Sequence, residues 1–173
     1  PIGFFCYNKN NTKEKTGGIA MGIRQVKEYF ERNGYDFAIY ELEESTATVK
    51  LAAKAHGVVP AMIAKSLVFG LKDGSSIMII TTGNTKIENK KYKQYFGQKA
   101  KMLKADEVLE ITGHPIGGVC PFGLKTPMNI YLDQSLLEFE YVYPAAGSTN
   151  SSIKISPQQL QKITQGTWVD LCK

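Results

Sequence analysis

The sequence predicts a single α+β domain with a mainly antiparallel or mixed sheet. Helix-like and strand-like segments are intermixed along the chain, with strands in groups and helices inserted between them. The dipeptide Asp73-Gly74 joins two apolar runs, which is a strong signal for an antiparallel hairpin. A length of 173 residues with 43% hydrophobic residues is enough for one substantial core. We therefore expect one compact domain.

The first elements follow a polar N-terminal stretch. Residues 1–20 are polar and have no sustained period, which predicts a flexible N-terminal extension before a domain over residues 21–173. The segment "IRQVKEYFERNG" has apolar residues at helical spacing and ends at a glycine, so it predicts a helix. "YDFAIYEL" then predicts a strand. "STATVKLAAKAHG" predicts a second helix, with Ser45 or Thr46 as its N-cap and Gly57 after its last turn.

The remaining elements are bounded by caps and glycines. Two β-like runs, "KSLVFGLK" and "SIMIITTG", flank the hairpin turn. "NKKYKQYFG" predicts a third helix that ends before Gly97, and "ADEVLEITG" predicts a short fourth helix that begins at Asp106 and ends before Gly113. "PMNIYLD" and "FEYVYPAA" predict strands, and "STNSSIKI" a turn and strand. In "SPQQLQKITQG", Ser156 and Gln159 form a capping box, which predicts a final helix.

The charge of the chain favours a polyanionic partner. The net charge is +5 and the sequence pI is near 9.0, with the densest lysine cluster over residues 86–104. This cluster is either a nucleic-acid contact or a solvated helical face.

No apolar run is long enough to span a bilayer and no signal peptide is recognisable, so we expect a cytoplasmic protein without a membrane partner. The three cysteines are far apart, and we expect neither a metal site nor a cofactor.

Cys120 is the obvious candidate for a nucleophile, and a thiol enzyme would also need a histidine base. The chain offers two histidines. His56 lies at the end of a predicted helix, where a structural role is favoured, and His114 is interpreted as a partly exposed loop residue that could approach Cys120. Because no third orienting group is identifiable, a catalytic Cys120 is disfavoured. A metal site built from these residues is less favoured still.

Three other features admit both a structural and a functional interpretation. Lys65 follows an apolar passage and begins a predicted strand, so it either reaches out to water or is a fixed cation for a carboxylate, phosphate or carbonyl oxygen. The segment "GHPIGGVCPFG", residues 113–123, is either a tight turn or a rigid loop with accessible N–H groups. "AAGSTN", residues 145–150, is a β-turn or the small-residue wall of a pocket.

Four ordered segments resemble one protein family. They are "GVVPAMIAKSLVF", "KAKMLKADEVLEITGHPIGGVCPFGL", "NIYLDQSLLE" and "VYPAAGSTNSSIKISPQQL". In order and spacing, from about Ile23 to Ile163, they resemble the YbaK/EbsC family of aminoacyl-tRNA deacylases, which is related to the editing domain of bacterial prolyl-tRNA synthetases. The resemblance implies a single α+β domain with a curved mixed sheet, flanking helices and a pocket on one side.

The resemblance also implies roles for individual residues. Lys65 matches the characteristic lysine of the family, and Gly117 and Gly118 lie in its GxxxP loop, so these three are the expected catalytic residues. Backbone N–H groups of this loop would be presented to the ester carbonyl, which leaves Cys120 incidental. The expected substrate-binding residues are Ser66, Pro121, Ala145, Gly147 and Asn150.

The implied function is hydrolysis, in trans, of the ester bond of mischarged aminoacyl-tRNA, of the Cys-tRNA(Pro) or Ala-tRNA(Pro) type. The implied partners are the acceptor end of the tRNA, whose phosphates the lysine-rich helix over residues 89–97 could contact, and prolyl-tRNA synthetase. Attack is left to water or to the side chain of the substrate. Ala145 and Ser152 differ from residues of other family members, which leaves the amino acid open. The alternative is a non-catalytic tRNA- or nucleotide-binding module.

Overall fold

The computed structural model describes residues 21–173 and the backbone of the short strand Phe5–Cys6. Within this part of the chain there are five α-helices: α1 Met21–Asn33, α2 Val49–His56, α3 Asn89–Phe96, α4 Ala105–Thr112 and α5 Pro157–Thr164. The strands are β1 Phe5–Cys6, β2 Tyr40–Glu41, β3 Ile63–Gly70, β4 Ser76–Thr82, β5 Asn129–Asp133, β6 Tyr143–Pro144, β7 Ser151–Ser152 and β8 Thr167–Val169. Two 3₁₀ helices cover Pro60–Met62 and Gln134–Glu138.

A five-stranded mixed sheet forms the centre of the domain, with strand order β6-β3-β4-β5-β8. β3 and β4 are an antiparallel hairpin, whereas the pairs β3–β6, β4–β5 and β5–β8 are parallel. A second sheet, β1-β2-β7, is antiparallel and small. The mixed sheet and the single α+β domain confirm the predicted fold class.

The hairpin divides the apolar side chains between two faces, because successive side chains of a strand point in opposite directions. One face of β3 and β4 carries Val68, Met78 and Ile80 into the larger core, which α1 and α5 also cover. The opposite face carries Phe69 and Ile77 into a smaller core under α3 and the C-terminal segment. Both faces of the hairpin are therefore covered, and its apolar runs are nearly continuous in sequence.

Several boundary predictions are confirmed. The glycine of the hairpin turn, Gly74, has φ +85°, and Gly57, Gly97 and Gly113 close α2, α3 and α4 in the left-handed conformation. The capping box at the start of α5 is present. Each of these signals is local, since a positive φ favours glycine and a cap needs only a nearby hydroxyl.

Other boundaries differ from prediction. Neither Ser45 nor Thr46 caps α2; the cap is Thr48, whose hydroxyl accepts from the Leu51 N–H, while Thr46 instead donates to the Thr149 carbonyl. Helix α4 begins one residue earlier than predicted, because Glu107 accepts from the Lys104 N–H at the cap position. The predicted strands in "YDFAIYEL" and "FEYVYPAA" shorten to two paired residues each.

The predicted flexible extension over residues 1–20 lies outside the described residues, except that β1 pairs with β2. Of the helices in the described part of the chain, none combines the length and the apolar character needed to cross a membrane.

Candidate active site

The main cavity lies between α2, the first half of β3, residues 113–123 and β7, and it has a volume of about 270 Å³. Residues 113–123 are called the glycine loop below. The cavity adjoins one edge of β3 that has no paired strand over residues 65–67 among the described residues. β6 pairs only with Ile63 and Ala64, and residues 101–103 contact the edge again only from Val68 onwards. The walls combine small residues with polar ones: Ala47, Ala145, Gly117, His56, Lys65 and Ser152.

Lys65 lies in β3 at this open edge and is half-buried. Its ammonium donates to the carbonyl oxygens of Gly83, at 3.3 Å, and Thr85. Burial lowers the pKa of Lys65; Cys172 raises it and Lys86 lowers it further. Among the described residues, no carboxylate oxygen lies within 4.0 Å of the ammonium. Since an ammonium has three donors and two are used, one donor remains for a ligand.

Ser66 presents a second polar group at the same edge. Its hydroxyl oxygen is buried and takes no hydrogen-bond partner among the described residues, and Ser66 lines the main cavity. A buried polar atom without a partner costs free energy. Ser66 therefore contributes an unpaired, buried hydroxyl to the wall of the main cavity.

The glycine loop is shaped by close backbone contacts. Gly117 has φ +88°, a conformation that side chains disfavour, and its Cα faces Ala47 at a distance that leaves no room for a Cβ. A Cβ on Gly118 would lie 2.7 Å from backbone atoms of Ser148. The Gly118 N–H donates to the Pro115 carbonyl, and the Gly147 N–H donates to the Gly118 carbonyl. The two turns are thereby held together.

The hydrogen bonds of the loop decide which N–H groups a ligand can use. The Gly118 N–H already donates to the Pro115 carbonyl in this conformation. Gly118 therefore contributes close packing and not a free donor. Gly117 and Val119 line the main cavity, and their N–H groups take no acceptor among the described residues. They are candidate donors for a ligand, as is the N–H of Ile116, which also lines the cavity and takes no acceptor among the described residues.

Cys120 and His114 are brought together, but inside the core. Both are fully buried, with 3.6 Å between Cys120 Sγ and His114 Nε2, and the same nitrogen lies 2.8 Å from the Phe122 carbonyl. The interpretation of His114 as partly exposed is wrong, because α1 and the turn at Gly147 cover the loop on that side. Burial raises the pKa of Cys120 to about 12, so the thiol stays protonated.

Of the other predicted substrate-binding residues, one lines the main cavity, two hold the neighbouring turn in place and one lies in a different groove. Ala145 lines the main cavity. Gly147, at φ +91°, packs against the backbone of Gly22, and Asn150 donates to the Leu42 carbonyl, so both hold the turn in place. Pro121 is buried and lines a different groove, beside α1.

A pair that the sequence interpretation missed faces the main cavity. His56 Nε2 lies 2.6 Å from Ser152 Oγ, and both residues line the cavity. Burial lowers the pKa of His56, which favours the neutral imidazole. His56 is the last residue of α2, as expected, but Gly57 closes the helix through its own N–H and the imidazole contacts Ser152. One available signal was the position of His56, nine residues before Lys65 and directly before the motif that begins at Gly57.

The lysine cluster lies beside the site. A second cavity of about 390 Å³, called the side cavity, shares Lys65, Leu67 and Met102 with the main cavity and is also lined by Lys86 and Asn89. Exposed lysines continue from it over α3 and the segment that follows: Lys90, Lys93, Lys99, Lys101 and Lys104. Lys91 differs, since it is paired with Asp170 at 2.6 Å. A basic surface therefore adjoins the open edge of β3.

Comparisons with known proteins agree with this arrangement. The sequence profile of the family described as "Aminoacyl-tRNA editing domain" matches residues 43–163. The chain is 46% identical over 154 residues to the uncharacterized protein YwhH of Bacillus subtilis, a match that covers 88% of this chain and 98% of YwhH. It is 28% identical over 165 residues to EbsC of Enterococcus faecalis, which is provisionally named a Cys-tRNA(Pro)/Cys-tRNA(Cys) deacylase, with 94% of this chain and 96% of EbsC covered.

A solved structure gives the same result for the fold. A crystal structure provisionally described as a trans-editing enzyme for prolyl-tRNA synthetase superimposes with a TM-score of 0.82 at 32% identity, covering 90% of this chain and 99% of the other. The family match includes Lys65, the glycine loop and the cavity between them. The chain therefore belongs to the YbaK/EbsC family of aminoacyl-tRNA editing domains.

Proposed function

We propose that this protein hydrolyses, in trans, the ester bond of mischarged aminoacyl-tRNA of the Cys-tRNA(Pro) or Ala-tRNA(Pro) type. The observation that carries the proposal is the position of Lys65 between a small cavity and a basic exterior. The small cavity suits the acyl group of an amino acid, and the basic exterior suits a polyanion such as tRNA. The ester that joins them would lie at the ammonium, which has a donor to spare.

The substrate binds across the open edge of β3. The aminoacyl group enters the main cavity, and the terminal nucleotide lies over the side cavity. Ile116 and Met102, which line the main cavity at its mouth, are 56% and 57% exposed and offer apolar contacts to the base and ribose. A cavity of about 270 Å³ with alanine and glycine walls limits the side chain to a small one.

Hydrolysis needs no protein nucleophile, because the aminoacyl ester is already activated. A water oxygen bonds to the acyl carbon, the bond from that carbon to the ribose oxygen breaks, and a proton from the water passes to the ribose oxygen. The N–H groups of Gly117 and Val119 donate to the oxyanion that develops on the acyl group, and such a donor is worth about 3 kcal/mol in a site that excludes water. Lys65 fixes the ester relative to them.

The exposed lysines next to the side cavity contact the phosphates of the acceptor end. Affinity for tRNA should therefore decrease as the salt concentration rises. Prolyl-tRNA synthetase is the second proposed partner, in the cytoplasm where tRNA is charged. The names of the relatives and the match to a structure described as a trans-editing enzyme support this assignment.

The experiment is a panel of labelled aminoacyl-tRNAs incubated with the purified protein, with release of the amino acid and tRNA binding measured on the same samples. We expect release of small residues such as cysteine and alanine and no release of phenylalanine or tyrosine. Binding without release of any amino acid would overturn the hydrolase and favour the tRNA-binding module. Exclusive action on a bulky aromatic ester would overturn the size limit of the cavity.

A further inference from the structure

The wall of the main cavity away from the side cavity carries the pair His56 and Ser152. The imidazole is the last residue of α2, the hydroxyl belongs to β7, and 2.6 Å separates Nε2 from Oγ. Apolar side chains of Ile63, Ala52 and Ala145 belong to the same lining, as does the hydroxyl-bearing Ser151, which is bonded to Ser148. The pair thus places a hydrogen-bonding group beside apolar lining residues.

The surrounding aromatic rings hold the imidazole in place. The Tyr143 ring packs against it with a centroid distance of 4.7 Å and an interplanar angle of 32°, and the Tyr40 ring meets it edge-on at 6.1 Å. The imidazole can turn little without losing these contacts. Its nitrogen therefore stays directed at Ser152.

The fold does not need the hydroxyl. Ser152 is positioned by its backbone, which pairs with Tyr40 in β2 and bridges to Ala145. Within the described part of the chain, His56 is the only hydrogen-bond partner of the Ser152 hydroxyl. A hydroxyl can donate once and accept twice, so the contact with His56 leaves capacity for another bond. Ser152 is 4% exposed and lines the main cavity, so a molecule that fills the cavity lies next to this residue.

We propose that the pair His56–Ser152 selects a substrate whose small side chain carries a hydroxyl, as in seryl-tRNA, over an apolar side chain of the same size. The inference rests on the proposed function, because it concerns the amino acid of that ester. With the ester at Lys65, the side chain enters toward this wall. A hydroxyl on the substrate side chain forms a hydrogen bond with the Ser152 hydroxyl. A methyl group in the same place forms none and leaves the Ser152 hydroxyl without that partner.

The test compares two esters on the same tRNA(Pro), seryl and 2-aminobutyryl, which differ only by a hydroxyl in place of a methyl group. In single-turnover assays corrected for uncatalysed hydrolysis, we expect the seryl ester to be hydrolysed about tenfold faster. In Ser152→Ala that ratio should decrease toward one. The control is Thr149→Ala, which removes an exposed side chain from the same turn and should keep the wild-type ratio.

The ratio separates specificity from folding, since a poorly folded variant loses both esters equally. Equal rates for the two esters in the wild type, or an unchanged ratio in Ser152→Ala, overturns the inference and leaves hydrolysis standing. Equal loss of both esters in Ser152→Ala would make Ser152 a nucleophile or a structural residue, and also overturns it. If the wild type hydrolyses no aminoacyl-tRNA of the wider panel, the proposed function itself fails.

Discussion

Two regions on either side of the glycine loop contain the same combination of groups, a histidine next to a nucleophile-bearing side chain. On the core side, Cys120 Sγ is 3.6 Å from His114 Nε2, and both residues are fully buried. On the cavity side, Ser152 Oγ is 2.6 Å from His56 Nε2, and both residues line a space that a ligand can enter. Proximity is common to both regions, and access distinguishes them. A short distance between a base and a nucleophile is therefore not evidence of a site.

Burial without access also changes the chemistry of the core pair. The pKa of Cys120 is raised to about 12 by burial, so the thiolate that a nucleophile requires does not form near neutral pH. The core side of the loop should therefore control stability, and the cavity side should control catalysis. The following changes test that division, from the largest expected effect to the smallest.

Lys65→Ala on the cavity side should lower the single-turnover deacylation rate at least tenfold, because a charge-assisted contact worth about 1.5–3 kcal/mol is removed and the ester is misplaced. The variant also leaves the Gly83 and Thr85 carbonyls without their donor, so we expect it to cost about 1 kcal/mol of stability and to remain folded. The matched control is Lys72→Ala, which removes an exposed lysine from the hairpin turn. A wild-type rate in Lys65→Ala would show that Lys65 only supports the Gly83 and Thr85 carbonyls and takes no part in catalysis.

Gly118→Ala on the core side should destabilise the fold by about 1–3 kcal/mol, because the new Cβ would lie 2.7 Å from the Ser148 backbone, which cannot move away as a flexible side chain could. Urea denaturation measures the loss. Gly74→Ala is the reference for a substitution at a glycine with open surroundings, although its positive φ carries its own strain. If Gly118→Ala were as stable as the wild type, that result would contradict the claim that Gly118 packs too closely against Ser148 to admit a Cβ.

Acid should destabilise the protein through its two histidines. Burial lowers the pKa of both His56 and His114 below 6.5, so the unfolded chain binds protons that the folded chain does not. Stability is therefore fully present above pH 6.5 and decreases as the pH falls through 6.5 toward the lower folded pKa values. Thermal melts between pH 7.5 and pH 5 measure the slope. His114→Gln should flatten it, and an unchanged slope in that variant would contradict the role of the core histidine.

Cys120→Ser should have the smallest effect on catalysis, with the deacylation rate unchanged within about threefold, because the loop acts through backbone N–H groups that the substitution keeps. The serine hydroxyl can donate to the Phe122 carbonyl, which the thiol now contacts at 3.8 Å. Rate and melting temperature are measured on the same preparation. A loss beyond about 100-fold in a folded variant would restore Cys120 as a nucleophile.

The sequence by itself determined the features that depend on near neighbours in the chain. Asp73-Gly74 predicted the hairpin, and Ser156 and Gln159 predicted the cap of α5, because turns and caps involve residues only a few positions apart. Four short segments, by their order and spacing along the chain, predicted the family. The site is different. Whether Cys120 or Ser152 faces a cavity depends on which strand edge is left uncovered, and that is set by contacts between distant segments.

The two histidines illustrate the physical reason. His56 and Ser152 are 96 positions apart and meet only because β7 packs beside the end of α2. His114 and Cys120 are six positions apart, and their proximity was foreseeable, but their burial depends on α1 and on the turn at Gly147. Local sequence fixes which groups are present and how the backbone turns at them. Burial and access, which set pKa values and admit a ligand, are decided only when the whole domain packs.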